Sequence, residues 1–301
     1  MKVIAKELHC DAVTIFGTDI GRMVEAARYA ASEGLSVWLQ PRLVEGTEDE
    51  VLNHLAEAAR AAEALRLEDI SITLNIGCEH TLFMQGIFPG KTFRGRIPFM
   101  ILAPLMPWLQ KKLNNHLRRA CMVARDNFKG SITYSSGAWE KVDWTLFDYV
   151  GVDYYRDKRN QKNYVRNLRK FHRHGKPVVI TEFGCCAFKG ADKSSGAGFL
   201  AINWKAMPPR VKPGIVRDEE TQALYLEELI SIYKQENVTG AFAFAFSEPS
   251  NPHTEQIEID LDVASFGIVK VVSHPDPQTN KLEGWEPKAG FYMLAKSYAE
   301  S

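Results

Sequence analysis

Apolar residues along the chain alternate between short, nearly continuous runs and longer stretches with helical spacing. Between the short runs, apolar positions three and four residues apart predict helices. This alternation is typical of an α/β protein with a parallel sheet covered on both faces. Seven short runs rich in β-branched and aromatic residues predict the strands, at Ala12–Phe16, Ser36–Leu39, Ser71–Asn75, Ser131–Tyr134, Tyr149–Tyr154, Val178–Thr181 and Gly240–Phe246.

Local signals delimit several of the predicted helices. Thr47 and Glu50 form a TxxE capping box at the start of one helix, and Gly34 ends the helix before it. The segment Phe183–Val216 is rich in Gly, Pro and Ser, and we expect it to be a long loop that shapes a cleft. Further helices are predicted at about Leu105–Asp126, Tyr164–His174, Glu219–Gln235 and Pro287–Ala299.

Two arrangements fit alternating strands and helices, the closed (β/α)₈ TIM barrel and the open doubly wound sheet. The doubly wound sheet requires a GxGxxG turn after its first strand, but the segment Gly17–Gly21 is GTDIG. Polar residues at strand ends are typical of the catalytic face of a barrel, so we predict one barrel domain over residues 1–301. The polar residues that follow the predicted strands are Asp19, Arg42, Glu79, Glu140, Asp153 and Glu182.

The first residues of the chain predict a helix, because Ile4 and Leu8 share one helical face. The sequence then contains seven predicted strands where a complete barrel has eight. We therefore expect a barrel that lacks its first β-strand unit at the N-terminus. The gap would lie between the Ala12–Phe16 and Gly240–Phe246 strands.

Composition excludes several classes of function. Lys plus Arg and Asp plus Glu both number 37, and this balance lacks the basic excess of a nucleic-acid-binding protein. No run of eighteen apolar residues predicts a membrane span, and the first residues lack the apolar core of a secretory signal. Five cysteines argue against a full disulfide framework. Together these features favour a cytoplasmic protein.

The histidines do not form the strand-end HxH motif of a metal-dependent barrel hydrolase. His172 and His174 instead lie at the C-terminus of a predicted helix, where positive charge interacts favourably with the helix dipole. We therefore expect neither a catalytic metal nor a cofactor.

Two glutamates at strand ends are the strongest chemical signal in the sequence. Glu182 directly follows the strand VVIT, and Glu79 lies four residues beyond Asn75. Carboxyl groups at the carboxyl ends of parallel strands converge on one face of a barrel. Such a pair can cleave a glycosidic bond, because one protonates the leaving oxygen while the other attacks the anomeric carbon or activates water.

Four segments support this interpretation by resemblance to a known family. The segments are KPVVITEFGC at Lys176–Cys185, WTLFDYVGVDYY at Trp144–Tyr155, VASFGIVKV at Val263–Val271 and EPKAGFYMLAKSY at Glu286–Tyr298. They resemble the corresponding segments of clan-A glycoside hydrolases, and the resemblance extends over most of the chain from residue 12. More narrowly, the chain is similar to uncharacterised bacterial barrel proteins described as glycosidases or as abortive phage infection proteins.

The resemblance implies a retaining glycoside hydrolase that acts on a small glycoside or oligosaccharide. It gives Glu182 the role of nucleophile and Glu79 that of acid/base, with Tyr154 or Tyr155 as the partner of the nucleophile. One position departs from the family, which usually has Asn before the acid/base Glu where this chain has Cys78. Either Asn75 takes over that sugar contact or the contact is absent.

Further residues are candidates for contacts with a carbohydrate substrate. Asp19 and Arg42 follow strands, and Trp139 and Trp204 could pack against the C–H faces of pyranose rings. The sequence leaves the oligomeric state open. The alternative is a non-catalytic carbohydrate-binding or phage-defence-associated barrel. A carboxyl–carboxyl separation of about 5–5.5 Å would favour retention, and one of about 6.5–9.5 Å would favour inversion.

Overall fold

The computed structural model describes residues 1–272 and 284–300, and the chain forms two compact units. The first comprises Met1–Lys6, Cys10–Tyr154 and Lys170–Thr181. The second comprises Glu7–His9, Tyr155–Arg169 and Glu182–Ser301. The assignment of residues 1–301 to one domain stays a prediction.

Seven strands form one sheet whose spatial order equals the chain order. Strands in chain order joined by helices form the architecture of a (β/α)₈-like TIM barrel, so the predicted fold class and all seven predicted strands are confirmed. The strands are β1 (Ala12–Gly17), β2 (Ser36–Pro41), β3 (Ile72–Cys78), β4 (Ile132–Gly137), β5 (Val150–Asp153), β6 (Val178–Phe183) and β7 (Gly240–Ala243).

Eleven α-helices lie in the described part of the chain, and the long ones match the prediction. The helical opening of the chain is confirmed, and β1 and β7 stand at the two ends of the sheet order. The helices are α1 (Lys2–Lys6), α2 (Ile20–Ser32), α3 (Glu48–Leu67), α4 (His80–Phe83), α5 (Phe93–Arg96), α6 (Phe99–Leu102), α7 (Pro107–Asn127), α8 (Tyr164–Phe171), α9 (Ala191–Ser194), α10 (Glu219–Gln235) and α11 (Ala289–Ala299).

A bulge in β3 determines where that strand ends. Asn75 pairs with Thr133 and Cys78 pairs with Ser135, so three steps along β3 match two steps along β4. Gly77 permits this path, because a Cβ atom there would lie 1.9 Å from His80 Nε2. The strand therefore continues past the predicted end at Asn75 to Cys78.

The segment Phe183–Val216, predicted to be a loop, contains regular structure within the second unit. It includes α9 and a 3₁₀ helix at Ser195–Ala201. Ile202–Asn203 then pairs antiparallel with Arg210–Val211. The segment is thus an ordered excursion after β6. The segment gave no periodic signal because none of these elements is longer than seven residues.

The capping box of α3 is confirmed and gives a test of local stability. Thr47 Oγ1 accepts a hydrogen bond from Glu50 N at 3.4 Å, and Glu50 Oε2 accepts one from Thr47 N at 2.7 Å. We expect Thr47→Ala to lower the free energy of unfolding by about 1 kcal/mol, because it leaves a helix N–H unsatisfied. Urea unfolding measures the change. Thr47→Ser retains the hydroxyl and should stay close to the wild type, and an equal loss in both variants would contradict the capping role.

Candidate active site

In the first unit, uncharged polar side chains hydrogen-bond one another at the carboxyl ends of β2, β3 and β4. Ser135 Oγ accepts from Asn75 Nδ2 at 2.6 Å and from Gln40 Nε2 at 3.1 Å. Gln40 Oε1 accepts from Arg42 Nε at 3.0 Å. The Arg42 guanidinium also lies over the Phe16 ring, 4.4 Å from its centroid. Asn75 and Arg42, both predicted site residues, thus belong to one connected network.

A second buried group in this unit surrounds the Asp153 carboxylate at the end of β5. Thr181 Oγ1 donates to Asp153 Oδ1 at 2.7 Å, and Cys78 Sγ donates to Asp153 Oδ2 at 3.3 Å. All three residues are buried. Cys78 occupies the position where the resembling family has Asn, and its thiol is directed to Asp153.

Glu79 directly follows β3 in a backbone conformation that is unusual for a residue with a side chain. Its φ and ψ are 41° and 51°, in the left-handed region. Its N–H donates to the Ser135 carbonyl at 2.8 Å, and its own carbonyl accepts from Leu82 N at 2.7 Å. Glu79 is partly exposed between buried Cys78 and His80. Strain of this kind is held in place by the surrounding structure and is concentrated at functional sites.

The Glu140 carboxylate holds the turn that follows Glu79. Glu140 Oε1 accepts from Thr81 Oγ1 at 2.6 Å and from Thr81 N at 3.1 Å. Glu140 Oε2 accepts from Tyr134 OH at 2.9 Å and from Gly137 N at 3.2 Å. Tyr134 OH in turn accepts from His80 N at 2.6 Å. Glu140 therefore holds Thr81 directly and holds His80 through Tyr134.

A pair of histidines extends this network towards α3 and α7. His80 Nδ1 lies 2.9 Å from His116 Nε2, and His116 Nδ1 lies 2.8 Å from Glu48 Oε1. Burial lowers the pKa of His80 well below its usual value and also lowers that of His116. Both rings are therefore neutral at neutral pH, and their hydrogen bonds connect the turn after β3 to Glu48 on α3.

Trp139 lies beside the same turn. Its Nε1 donates to Thr81 Oγ1 at 2.9 Å, and its ring covers Gly137, where a Cβ atom would lie 2.5 Å from Trp139 Cζ2. The side chain is partly exposed. Because Thr81 accepts from the indole and donates to Glu140, Trp139 is held in a fixed orientation and is bonded directly to the turn that follows Glu79.

In the second unit, Glu182 is buried at the end of β6 and accepts a hydrogen bond from Tyr155 OH at 3.1 Å. The Tyr155 ring is held edge-on by Phe266, with centroids 6.0 Å apart, and lies against Gly196. Tyr154 belongs to the first unit and packs edge-on against Phe171 at 5.7 Å. Both tyrosines directly follow β5, and the hydrogen bond to Glu182 comes from the second of them.

Two predicted site residues have local structural partners. Asp19 is exposed and caps α2, where its Oδ1 accepts from Arg22 N at 3.0 Å. Trp204 is partly exposed, and its Nε1 donates to the Phe199 carbonyl at 3.0 Å. Both lie on segments that follow sheet strands, β1 and β6.

A separate cluster of charged, buried and partly buried side chains in the second unit is an ion-pair network. Arg217 Nη2 lies 2.7 Å from Asp262 Oδ2 and 3.0 Å from Asp260 Oδ2. The fully buried Lys288 places its Nζ 2.9 Å from Asp262 Oδ2. His253 Nδ1 lies 3.0 Å from Asp260 Oδ1. Two cations pair with these carboxylates, so the cluster links the segments that carry Arg217, Asp262 and Lys288.

Sequence reasoning did not assign several residues that form these networks. The sequence identifies Glu140 and Asp153 only as residues at strand ends, and it contains no motif that marks Tyr134, His80 or Ser135. The available signal was the presence of polar residues inside buried strands, as in QP at the end of β2 and YSSG in β4. Such residues must find hydrogen-bond partners within the core.

The barrel fold is shared with solved glycoside hydrolase structures. A GH113 β-1,4-mannanase matches with a TM-score of 0.64 at 13% identity, covering 100% of this chain and 91% of that chain. The GH113 β-mannanase AaManA from Alicyclobacillus acidocaldarius matches at 0.60 and 15% identity, covering 97% and 88%. A fungal β-1,4-galactanase matches at 0.59 and 13% identity, covering 98% and 90%. At these identities the likeness shows the common fold.

No protein-family model matches the chain, and no curated protein matches it. Within residues 1–272 and 284–300, no helix is both long and apolar enough to cross a membrane.

The Glu140 network predicts a pH dependence of stability. Burial raises the pKa of Glu140 to about 7, although its hydrogen bonds oppose this shift. A carboxyl group whose pKa is raised on folding contributes stability below its unfolded pKa and loses it as pH rises through the folded value. Between pH 4.5 and about 7 this contribution should fall by roughly 3 kcal/mol.

Urea unfolding of wild type and Glu140→Gln at about pH 5 and about pH 8 measures this loss, since only the wild type titrates at this position. The wild type should lose more stability than the variant over that interval. Glu57→Gln, at an exposed position on α3, is the control and should follow the wild type. Parallel pH profiles for wild type and Glu140→Gln would show that Glu140 does not titrate as stated.

Proposed function

We propose that the protein is a retaining glycoside hydrolase, with Glu182 as nucleophile and Glu79 as acid/base. The observation that carries the proposal is the hydrogen bond from Tyr155 to the buried Glu182 carboxylate at the end of β6. Glu79 follows β3 of the same sheet. The fold common to this chain and the solved mannanases and galactanase supports the assignment.

In the first step, Glu182 attacks the anomeric carbon and Glu79 protonates the oxygen of the leaving group. The Tyr155 hydroxyl stabilises the negative charge of Glu182 before attack and fixes the direction of its Oε2. The C–O bond to the leaving group breaks as the bond to Glu182 forms. The product of this step is a glycosyl ester of Glu182 and a free leaving group.

In the second step, Glu79 acts as base. It has given up its proton, and it takes one from a water molecule that attacks the anomeric carbon and releases Glu182. The same carboxyl group must therefore serve both steps without changing position. The support for this role is the fixed turn after β3, in which Glu140 holds Thr81 directly and His80 through Tyr134.

The substrate that we propose is a β-linked oligosaccharide. Solved structures that share this fold include β-1,4-mannanases, a β-1,4-galactanase and a β-glucuronidase from Ruminococcus gnavus. Within the proposed site Asn75 and Arg42 would hydrogen-bond sugar hydroxyls, and Trp139 would pack against a pyranose ring. Asp19 and Trp204 would contact more distant sugar units.

Substitution of the two carboxylates separates their roles. With aryl β-glycosides and β-1,4-linked manno- and galacto-oligosaccharides as substrates, Glu182→Gln should abolish turnover of all of them, because no covalent ester can form. Glu79→Gln should still form the glycosyl ester from aryl glycosides with good leaving groups, because these need no acid. Hydrolysis of that ester lacks its base in the variant, and added azide should restore turnover by attacking the ester directly. Steady-state kinetics and identification of the glycosyl azide measure both effects.

The stereochemistry of the first product provides a second criterion. A retaining enzyme releases the β-anomer from a β-glycoside, and proton NMR detects it before mutarotation. Release of the α-anomer, or normal turnover by Glu182→Gln, would overturn the mechanism. Binding of oligosaccharides without cleavage would favour a carbohydrate-binding function instead.

The two adjacent tyrosines form a matched pair for testing the environment of the nucleophile. Tyr155→Phe removes the hydrogen bond to Glu182, and a bond to a charged group contributes about 1.5–3 kcal/mol. We expect kcat to fall by roughly 10- to 100-fold. Tyr154→Phe, which keeps the ring that packs on Phe171, should change kcat by less than about threefold. Similar kcat values for the two variants would contradict the role of Tyr155.

A further inference from the structure

The region after β3 has an unusual charge distribution. Residues 80–125 contain eight Lys and Arg and no Asp or Glu, although the whole chain has a net charge of zero. The rest of the chain therefore carries a compensating acidic excess. Lys91, Arg94, Lys111 and Lys112 are exposed, whereas Arg96 is buried and donates to backbone carbonyls. One part of the surface is thus locally cationic.

Large apolar side chains are exposed in the same region. The exposed fraction is 74% for Ile101, 80% for Leu105 and 56% for Trp108, and Leu102 reaches 43%. They lie within eight consecutive residues, on α6, the following 3₁₀ turn and the first turn of α7. Single exposed apolar residues are ordinary, but a contiguous group marks an interaction surface. We call residues 91–112 the α5–α7 segment.

One aromatic and two basic side chains of the α5–α7 segment lie around the same cavity. Lys91, Lys112 and Trp108 line one shallow cavity of about 370 Å³, together with residues 85–90. An aromatic ring beside two ammonium groups can accommodate an anionic headgroup, because the ring remains at the apolar boundary while the cations pair with phosphate.

We propose that the α5–α7 segment binds the surface of an anionic lipid bilayer. Ile101 and Leu105 would enter the boundary between headgroups and acyl chains, and the lysines would pair with lipid phosphates. Aliphatic side chains have no hydrogen-bonding group for a sugar, which separates this surface from a carbohydrate site. The single sign of the charge selects an anionic partner. The proposal does not depend on the proposed glycosidase function.

Vesicle cosedimentation of the full chain tests the proposal. The protein should bind vesicles of equimolar phosphatidylcholine and phosphatidylglycerol and should bind phosphatidylcholine alone at least tenfold more weakly. Lys111→Gln with Lys112→Gln should weaken binding to the anionic vesicles roughly thirtyfold. Ile101→Ser with Leu105→Ser should weaken it at least tenfold. All four positions are exposed, so the thermal unfolding temperature should be unchanged.

Matched changes elsewhere on the surface are the control. Leu200→Ser with Met207→Ser, and Lys205→Gln with Lys212→Gln, alter the same residue types in the second unit and should leave binding unchanged. Brominated lipids should quench the fluorescence of Trp108 in bound protein. The quenching should disappear in Trp108→Phe and should remain in Trp285→Phe. Absence of binding, equal losses in the control variants, or self-association that Ile101→Ser with Leu105→Ser abolishes would overturn the proposal.

Discussion

The first unit depends on the mutual hydrogen bonding of polar side chains at the carboxyl ends of its strands. These side chains are buried, and a buried polar group without a partner destabilises a fold by about 1–3 kcal/mol. Asn75, Gln40 and Ser135 satisfy one another across three strands, and Thr181 and Cys78 satisfy Asp153. The same constraint that keeps the sheet stable fixes the orientation of each side chain. The need to satisfy buried polar groups therefore also holds the side chains of the candidate site in fixed orientations.

The strands and long helices could be predicted from the sequence because their signals are local. Apolar runs marked the seven strands, and a TxxE pattern marked the start of α3. The end of β3 could not be placed in this way, because the bulge that carries it to Cys78 arises from pairing with β4. The short elements after β6 were missed for a similar reason. Each is held by tertiary contacts and has no periodicity of its own.

The sequence could predict that the candidate site lies at the strand ends, but it could not predict the hydrogen bonds that connect its residues. Glu79 and Glu182 were proposed from their places after predicted strands, and of the two only Glu182 lies in a segment that resembles clan-A enzymes. The support of the Glu79 turn by Glu140 could not be inferred, because it joins residues 59 positions apart through one carboxylate. The sequence also left Tyr154 and Tyr155 as equal alternatives. Both residues lie beyond the end of β5, so strand alternation does not assign them, and the atomic contacts show a hydrogen bond to Glu182 from Tyr155.

The bulge in β3 has a consequence for how this protein can evolve. The bulge adds one residue to β3 and so determines which of two neighbouring side chains is buried. Here Cys78 is buried and Glu79 is partly exposed. Loss of a single codon within the bulge would exchange these directions and send the carboxylate inward. Length changes at this point are therefore far more disruptive than substitutions. The stretch from residue 84 to 106 lies outside the ladder, and its exposed residues, unlike the buried Met84, Phe88 and Arg96, can change without moving the end of the strand.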